Sequence, residues 1–447
     1  MSVSSKQVDE LDQVENWYKA SYEEFSNRSQ GRTNGRVQKL RTDALEQFQK
    51  SGFPTSALEE WKYTSTDSIR NNPFSLVTDD STAESIDESD LEPIEIPDLD
   101  VHRIAFVDGF YAEQLTRTDG LPDEVILQDL EAALSDHSDL VEEHLGQHVD
   151  GEDYPFAALN TAFLSHGAFL HVPDGVIVDK PIHILHLTTT DDEYGAVFPR
   201  NLFSVGENSE VSIFEHYADT TDAVYFSNTV SELYADRNAF VDHYKLQMTN
   251  EDALQVTTFE SSQDADSQVN QTNIHFGSQL SRNDINATID GEGAECALNG
   301  LFCTDGDQHV DNHTRLYHMQ PNCDSYELYT GILDDESTGV FNGTIYVHKR
   351  AQGTSSNQHN NNLLLTNEAT INTKPELEIF ADEVTCSHGA TIGQLQDRAK
   401  YYLRTRGVSE ELAEEMLINA FARELTDRIQ IDPLREMVND TFYTRRY

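Results

Sequence analysis

Clusters of turn-forming residues recur at a near-constant interval through the middle of this 447-residue chain. They fall at 206–209, 235–238, 263–266 and 291–293, with starts 29, 28 and 28 residues apart. A second series falls midway, at 219–222, 249–252, 278–284 and 304–307. Each unit therefore holds two strand segments, and these are rich in β-branched and aromatic residues, as in PIHILHLTTT, EVSIFEHYA and GVFNGTIYVHKR. A fixed period in a strand-rich chain marks stacked coils, whereas a propeller blade needs about 40–50 residues. The competing arrangement is a large sandwich of evenly spaced antiparallel hairpins. The scarcity of two-residue Asn-Gly and Asp-Gly turns weighs against it. The expected fold is mainly β, a solenoid of stacked coils over 151–385 flanked by N-terminal and C-terminal helical regions.

A stack of coils has two ends with unpaired strand edges, which must be capped or paired. The stretch KPELEIFADEVTCSHGATIGQL, residues 374–395, marks one end. Leu377, Ile379 and Phe380 alternate with Glu376, Glu378 and Asp382 in near period two, a strand pattern. Gly389 and Gly393 then read as the place where regular pairing stops. Cys386 and His388 are separated by one residue and point to the same side in extended backbone. A soft thiolate and an imidazole are half of a metal site suited to iron–sulfur, zinc or copper chemistry. The plainer alternative is a buried thiol beside a hydrogen-bonded histidine at a structural corner. An end without an internal cap is also where a partner's strands can add.

Composition narrows the function classes. Lys and Arg total 30 against 80 Asp and Glu, a formal charge of −50. Of the basic residues only ten are Lys. This fits a protein held soluble at very high salt, where self-repulsion is screened; an acidic protein with a basic partner is the alternative. Nucleic-acid binding is disfavoured, because phosphate contacts need clustered Lys and Arg. The four cysteines form no CxxC pair and are too few for a disulfide scaffold, so a reducing interior is expected. The first residues contain no apolar signal region, and no run approaches the ~20 apolar residues of a membrane span. The expectation is a soluble, cytoplasmic protein without membrane contact.

Along the chain, 1–78 reads as an N-terminal helical region. Val8, Leu11, Val14 and Trp17 or Tyr18 recur at helical spacing, as do Val37, Leu40, Leu45 and Phe48 less strictly. Residues 79–100 carry ten acids and no base, an acidic linker or surface-hugging arm. Residues 101–150 mix a strand with a helix near 130–145, where His137, His144 and His148 read as solvated. From Pro155 helix signals are expected to vanish for over 200 residues. Residues 386–447 read as a C-terminal helical domain, in which Gly407 ends one helix and Ser409 caps the next. There Leu412, Met416, Leu417, Ala420, Phe421 and Leu425 form a broad apolar stripe, either core or partner site.

Several long stretches together resemble one family. They are FPTSALEEWKYT, PFAALNTAFLSHGAFLHVPDGVIVDKPIHI, DGDQHVDNHTRLYHMQPNCDSYELYTG, KPELEIFADEVTCSHGATIGQL and YYLRTRGVSEELAEEMLINAF. They are similar to the SufB/SufD family of the Suf iron–sulfur cluster assembly system, over nearly the whole chain. Gly389 stands where the SufB pattern has Glu, so the resemblance is to the SufD branch. It implies a right-handed parallel β-helix over 151–385 that pairs with SufB and binds the ABC-type ATPase SufC through its C-terminal helices, with Tyr402, Leu412, Met416 and Phe421 as candidate contacts. It also implies a cluster-assembly role for His388 at the SufB–SufD interface, with Cys386 beside it. No tightly bound cofactor is expected in the isolated chain, only a transient iron–sulfur cluster in the complex, and a homodimer in isolation is allowed. Cys296 and Cys303 read as buried thiols, and His309, His313 and His318 as hydrogen-bonding residues of the β-helix. The chain has no GxxxxGK[ST] phosphate loop, so a non-catalytic scaffold is expected, with ATP handled by the partner. A SufB-like homodimeric scaffold remains the alternative, and a β-helix enzyme acting on polysaccharides a more distant one.

Overall fold

The computed structural model describes residues 16–29, 35–147 and 154–444. Val8, Leu11, Val14 and His148 lie outside the described residues. Among those described, the strands fall into sheets of eleven and ten strands. From Arg200 to Gln394 successive strands alternate between the two sheets, and their pairing within each sheet is parallel. In one sheet Phe226 lies beside Leu254, Leu254 beside Leu280, Leu280 beside His309 and His309 beside Thr338, steps of 26 to 29 residues. The chain is a parallel β-solenoid, as the turn period requires, and no antiparallel pairing interrupts 206–293.

The period has a local cause. The recurring turns place Asn208, Asn238, Asp266, Gly293, Asn322 and Gly353 in the left-handed region, with φ of 58, 55, 59, 76, 59 and 78°. Gly, Asn and Asp tolerate that conformation best, so the corner selects them once per coil. The corners also bond to one another: Asn238 Nδ2 donates to Asn208 Oδ1 at 2.8 Å. Between corners, alternate side chains turn inward and stack on the same position of the next coil. Val211, Val241, Val269 and Cys296 form one such buried column. Each buried aliphatic side chain contributes about 1.5–3 kcal/mol.

Helices cover the outer faces. Trp17–Ser29, Gly35–Ser51 and Pro155–Ala162 bury an aromatic cluster against one sheet, including Trp17, Phe48, Trp61, Phe156 and Phe226. Glu410–Thr426 and Asp432–Thr444 lie on the other sheet through Ile418, Ala422, Leu425, Leu434 and Val438. No helix of the described residues is long and apolar enough to cross a membrane.

Three local expectations need correction and two are sharpened. Pro155–Ala162 is a helix, not strand; all eight of its residues are buried, so it shows no amphipathic period. The helix near 130–145 is two, Leu130–Asp136 and Ser138–His144, broken at His137. Of the two readings of the acidic segment, the surface-hugging arm holds: Ala83, Ile86 and Leu91 pack on Ala105, Leu185 and Leu187. The strand expected after 101 is present as His102–Val107 and joins the solenoid, pairing parallel with Ile182–Thr188. At the other end the last strand runs on to Gln394, past the boundary expected at 385. Gly389 and Gly393 sit inside that strand, in register with His359 and Leu363, because glycine needs no positive φ to be accommodated in extended backbone.

One ion pair ties these layers together. Arg200 and Glu232 are both fully buried. Arg200 Nε donates to Glu232 Oε1 at 3.1 Å, and Nη1 to Thr161 Oγ1 at 3.0 Å on the buried helix. Glu232 Oε2 accepts from the Gly146 N–H at 2.9 Å. Removing one partner of such a pair leaves an uncompensated buried charge. Glu232→Gln is therefore expected to cost about 3–5 kcal/mol in urea unfolding; a loss under about 1 kcal/mol, typical of exposed pairs, would refute this role.

Candidate functional site at the open end of the solenoid

The two ends of the stack differ. At the N-terminal end, short antiparallel strands close both sheets: Phe110–Tyr111 on His102–Val107, and Ile126–Asp129 on Ala168–Val172. At the C-terminal end the outermost strands, Thr370–Ile379 and Thr385–Gln394, each pair on one side only. Ile379, Phe380 and Ile392 are exposed there.

Cys386 and His388 both lie on Thr385–Gln394. Register fixes where they point. Cys386, His388, Ala390 and Ile392 stand beside Ser356, Gln358, Asn360 and Asn362, which are all buried in the preceding coil. The four residues continue the interior face of the solenoid, with no further coil above them, so His388 is exposed. The expected same-side pair is thus present. Cys386 is half-buried against Ile345, Val347, Ala351 and Ala381. Burial raises its thiol above the ordinary value, partly offset by a backbone hydrogen bond from Ser356. A thiol in that setting is a weak nucleophile until a metal or positive charge draws off its proton.

The other thiols are not part of this site. Cys296, Cys303 and Cys323 are buried thiols, not joined in disulfides. Burial pushes the Cys296 thiol up to about 12. Cys323 Sγ donates to the Gly291 carbonyl at 3.2 Å. The three histidines of HVDNHTRLYH hydrogen-bond as expected. His309 Nε2 contacts Thr64 Oγ1 at 2.9 Å, His313 contacts Glu60 at 3.2 Å and Asp311 at 3.0 Å, and His318 Nε2 contacts Ser325 Oγ at 2.9 Å.

Beneath His388 lies a polar column that the linear sequence did not single out. Gln358, its register neighbour, donates from Nε2 to Glu327 Oε2 at 2.6 Å. Glu327 is fully buried, and burial raises its carboxyl to about 7 despite the bond from Gln358. Its signal was available in principle: folding the sequence onto the coil step aligns 327, 358 and 388.

The C-terminal helices divide differently from the expected stripe. Helix Glu410–Thr426 buries Ala413, Ile418, Ala422 and Leu425 toward the solenoid. Leu412 and Met416 face solvent, and Phe421 is partly buried against the core cluster. The helix is apolar on more than one side, so spacing alone could not say which side packs. The preceding helix, Asp397–Thr405, buries none of its side chains, and its Tyr401 and Tyr402 are 71% and 57% exposed. Lys400 Nζ to Glu414 at 3.0 Å and Arg404 to Glu410 at 3.0 Å join the two helices.

Fold and site together define a solenoid subunit with one closed end and one open end, the open end carrying a thiol and an imidazole. Two family models match it: the SufBD core domain of SUF-system FeS cluster assembly over residues 186–421, and the SufBD N-terminal region over 12–184. The chain belongs to the SufBD family of iron–sulfur cluster assembly. It is 33% identical to an iron–sulfur cluster assembly SufBD family protein of Synechocystis sp., covering 86% of this chain and 85% of the relative. It is 30% identical to the assembly protein SufD of Escherichia coli over 88% of this chain and 89% of that one. The SufB protein of Bacillus subtilis is 25% identical over 80% and 77%.

Glu327 yields a pH prediction. Its folded carboxyl titrates near 7 rather than 4.5, so the folded chain holds an extra proton between those values. Stability from this group is complete below about pH 4.5 and is lost as pH rises through 7. Glu327→Gln should match the wild type near pH 4.5 and exceed it by roughly 3 kcal/mol at pH 8. Denaturation curves at the two pH values check this; a constant difference between the proteins would refute it.

Proposed function

We propose that this chain is the SufD-type subunit of a cytoplasmic Suf complex, a scaffold that pairs with SufB through its open solenoid end and binds SufC through its C-terminal helices. One observation carries the reading. The edge strand TCSHGATIGQ, paired on one side only, contains no charged residue and no Pro, in a chain that is 25% charged. Exposed edges are normally blunted by Lys, Pro or inward charges. The neighbouring edge strand, TINTKPELEI, has both Lys374 and Pro375. An uncharged edge on so acidic a protein suits a partner strand, and such a strand would bring its own side chains over Cys386 and His388.

Two ligands fall short of the four that a tetrahedral cluster iron takes. The site is complete only when SufB supplies thiolates across the interface, so the cluster is cargo of the complex and not a resident cofactor. SufC, which binds and hydrolyses ATP, strains the paired solenoids and opens the interface. Tyr402, Leu412 and Met416 form the exposed surface for SufC, whereas Phe421 supports it from beneath.

The deciding experiment measures iron and acid-labile sulfide per purified SufB–SufC–SufD-type complex, with subunit stoichiometry in parallel. His388→Ala should leave assembly intact and cut cluster content several-fold, with Cys386→Ala doing so less. Equal content in wild type and His388→Ala would remove His388 from the chemistry. For the helices, Tyr402→Asp with Met416→Asp should abolish SufC capture while leaving the melting temperature unchanged, since both side chains are exposed. Undiminished capture by the folded variant would place the SufC contact elsewhere.

A further inference from the structure

A second group of metal-ligating side chains lies at the closed end of the solenoid: Asp129, Glu131 and His166. Asp129 ends the strand Ile126–Asp129, and Glu131 lies in the helix Leu130–Asp136 that follows it directly. His166 lies in the turn between Pro155–Ala162 and the strand Ala168–Val172. The backbone fixes their approach. Asp129 pairs with Ala168, and the Leu130 N–H donates to the Gly167 carbonyl at 2.8 Å. Gly167 has φ of 147°, and a Cβ there would lie 2.0 Å from the Arg200 carbonyl oxygen, so only glycine lets the His166 turn sit this close.

The arrangement orients the imidazole. Asp129 is almost fully buried; its Oδ1 accepts from the Gly167 N–H at 3.2 Å and its Oδ2 lies 2.9 Å from His166 Nδ1. A carboxylate on Nδ1 holds the proton there and turns Nε2 outward as a lone-pair donor, the pairing found behind metal-bound histidines. Nε2 lies 3.6 Å from Glu131 Oε2. An ion about 2.1 Å from both atoms would fit between them at an angle near 120°, close to what a four-coordinate ion accepts. The donor atoms of all three residues lie within 4.8 Å of one another. A cavity of about 390 Å³ adjoins them, its wall including Glu131, His166, Ser165 and Asp108 as well as Arg28 and Arg41, with room for the water ligands that would complete the shell.

We propose that His166 Nε2 and the Glu131 carboxylate bind a first-row divalent cation, with Asp129 as the positioning carboxylate. Nitrogen and carboxylate donors suit Zn²⁺, Co²⁺, Mn²⁺ or Fe²⁺ and not a soft copper(I) ion. The ion clamps the strand Ile126–Asp129, the helix after it and the turn after Pro155–Ala162. It stands independently of the cluster-assembly reading, since Cys386 and His388 lie at the other end of the strand order.

The test uses the full chain, freed of metal by a chelator and titrated with Co²⁺ in molar KCl, which screens diffuse binding by the acidic surface. The expected result is one equivalent of Co²⁺ with visible ligand-field absorption and a raised melting temperature. Glu131→Gln and His166→Gln should abolish both signals, Asp129→Asn should weaken binding about 10–100-fold, and Cys386→Ala with His388→Ala should change neither. If His166→Gln does not fold, Glu131→Gln decides alone. Absence of stoichiometric binding, its persistence in Glu131→Gln, or its loss in the Cys386 and His388 variant would each overturn the proposal and leave His166 as a histidine bridging two carboxylates.

Discussion

Parallel stacking in fixed register is the constraint on which the rest of this molecule depends. Each coil must be nearly as long as its neighbour, or the inward residues would slip to the outer face. The left-handed corners at Asn208, Asn238, Asp266 and Gly293 enforce that length, because each returns the chain at the same point of the coil. Once register is fixed, chemistry is transmitted along columns and not along the sequence. Val211, Val241, Val269 and Cys296 become one apolar column, while Glu327, Gln358 and His388 become one polar column. A stack built this way must also end. Here one end is sealed by antiparallel strands and helices, and the other is left with its hydrogen-bonding edge and its interior face open.

The sequence made the solenoid legible because a corner residue with positive φ is chemically restricted and recurs once per coil. The paired Cys386 and His388 were legible because period two is a property of any strand. What could not be read had specific causes. The helix Pro155–Ala162 is buried on every side, so it carried no amphipathic pattern. The glycines at 389 and 393 looked like an ending, but a strand at an edge loses little by lacking side chains where no further coil packs. The stripe on Glu410–Thr426 divides: Leu425 is fully buried and Phe421 partly so, beside the small Ala413 and Ala422, while the larger Leu412 and Met416 are exposed. Size in the sequence is not burial in the fold. The ion pair of Arg200 with Glu232, and the acids around His166, join residues far apart in the chain, and no local pattern announces them.

The thermodynamic position of Cys386 bears on how an open end can be kept safe. Its side chain packs on Ile345, Val347 and Ala381, and that burial disfavours the thiolate. A protonated thiol oxidises slowly and attacks slowly. The same contacts leave His388 exposed one step along the strand. The pair is thus asymmetric: the imidazole is exposed, whereas the thiol could serve as a ligand only where something compensates its lost proton. A metal does this directly, since coordination and deprotonation are one equilibrium. An ion held first by His388 and by partner groups would lower the cost of recruiting Cys386, whereas Cys386 could not recruit the ion alone. If the pair serves as the proposed function has it, this ordering would follow from burial and exposure on one strand, and the histidine would be the more consequential of the two residues although the thiolate is the stronger ligand.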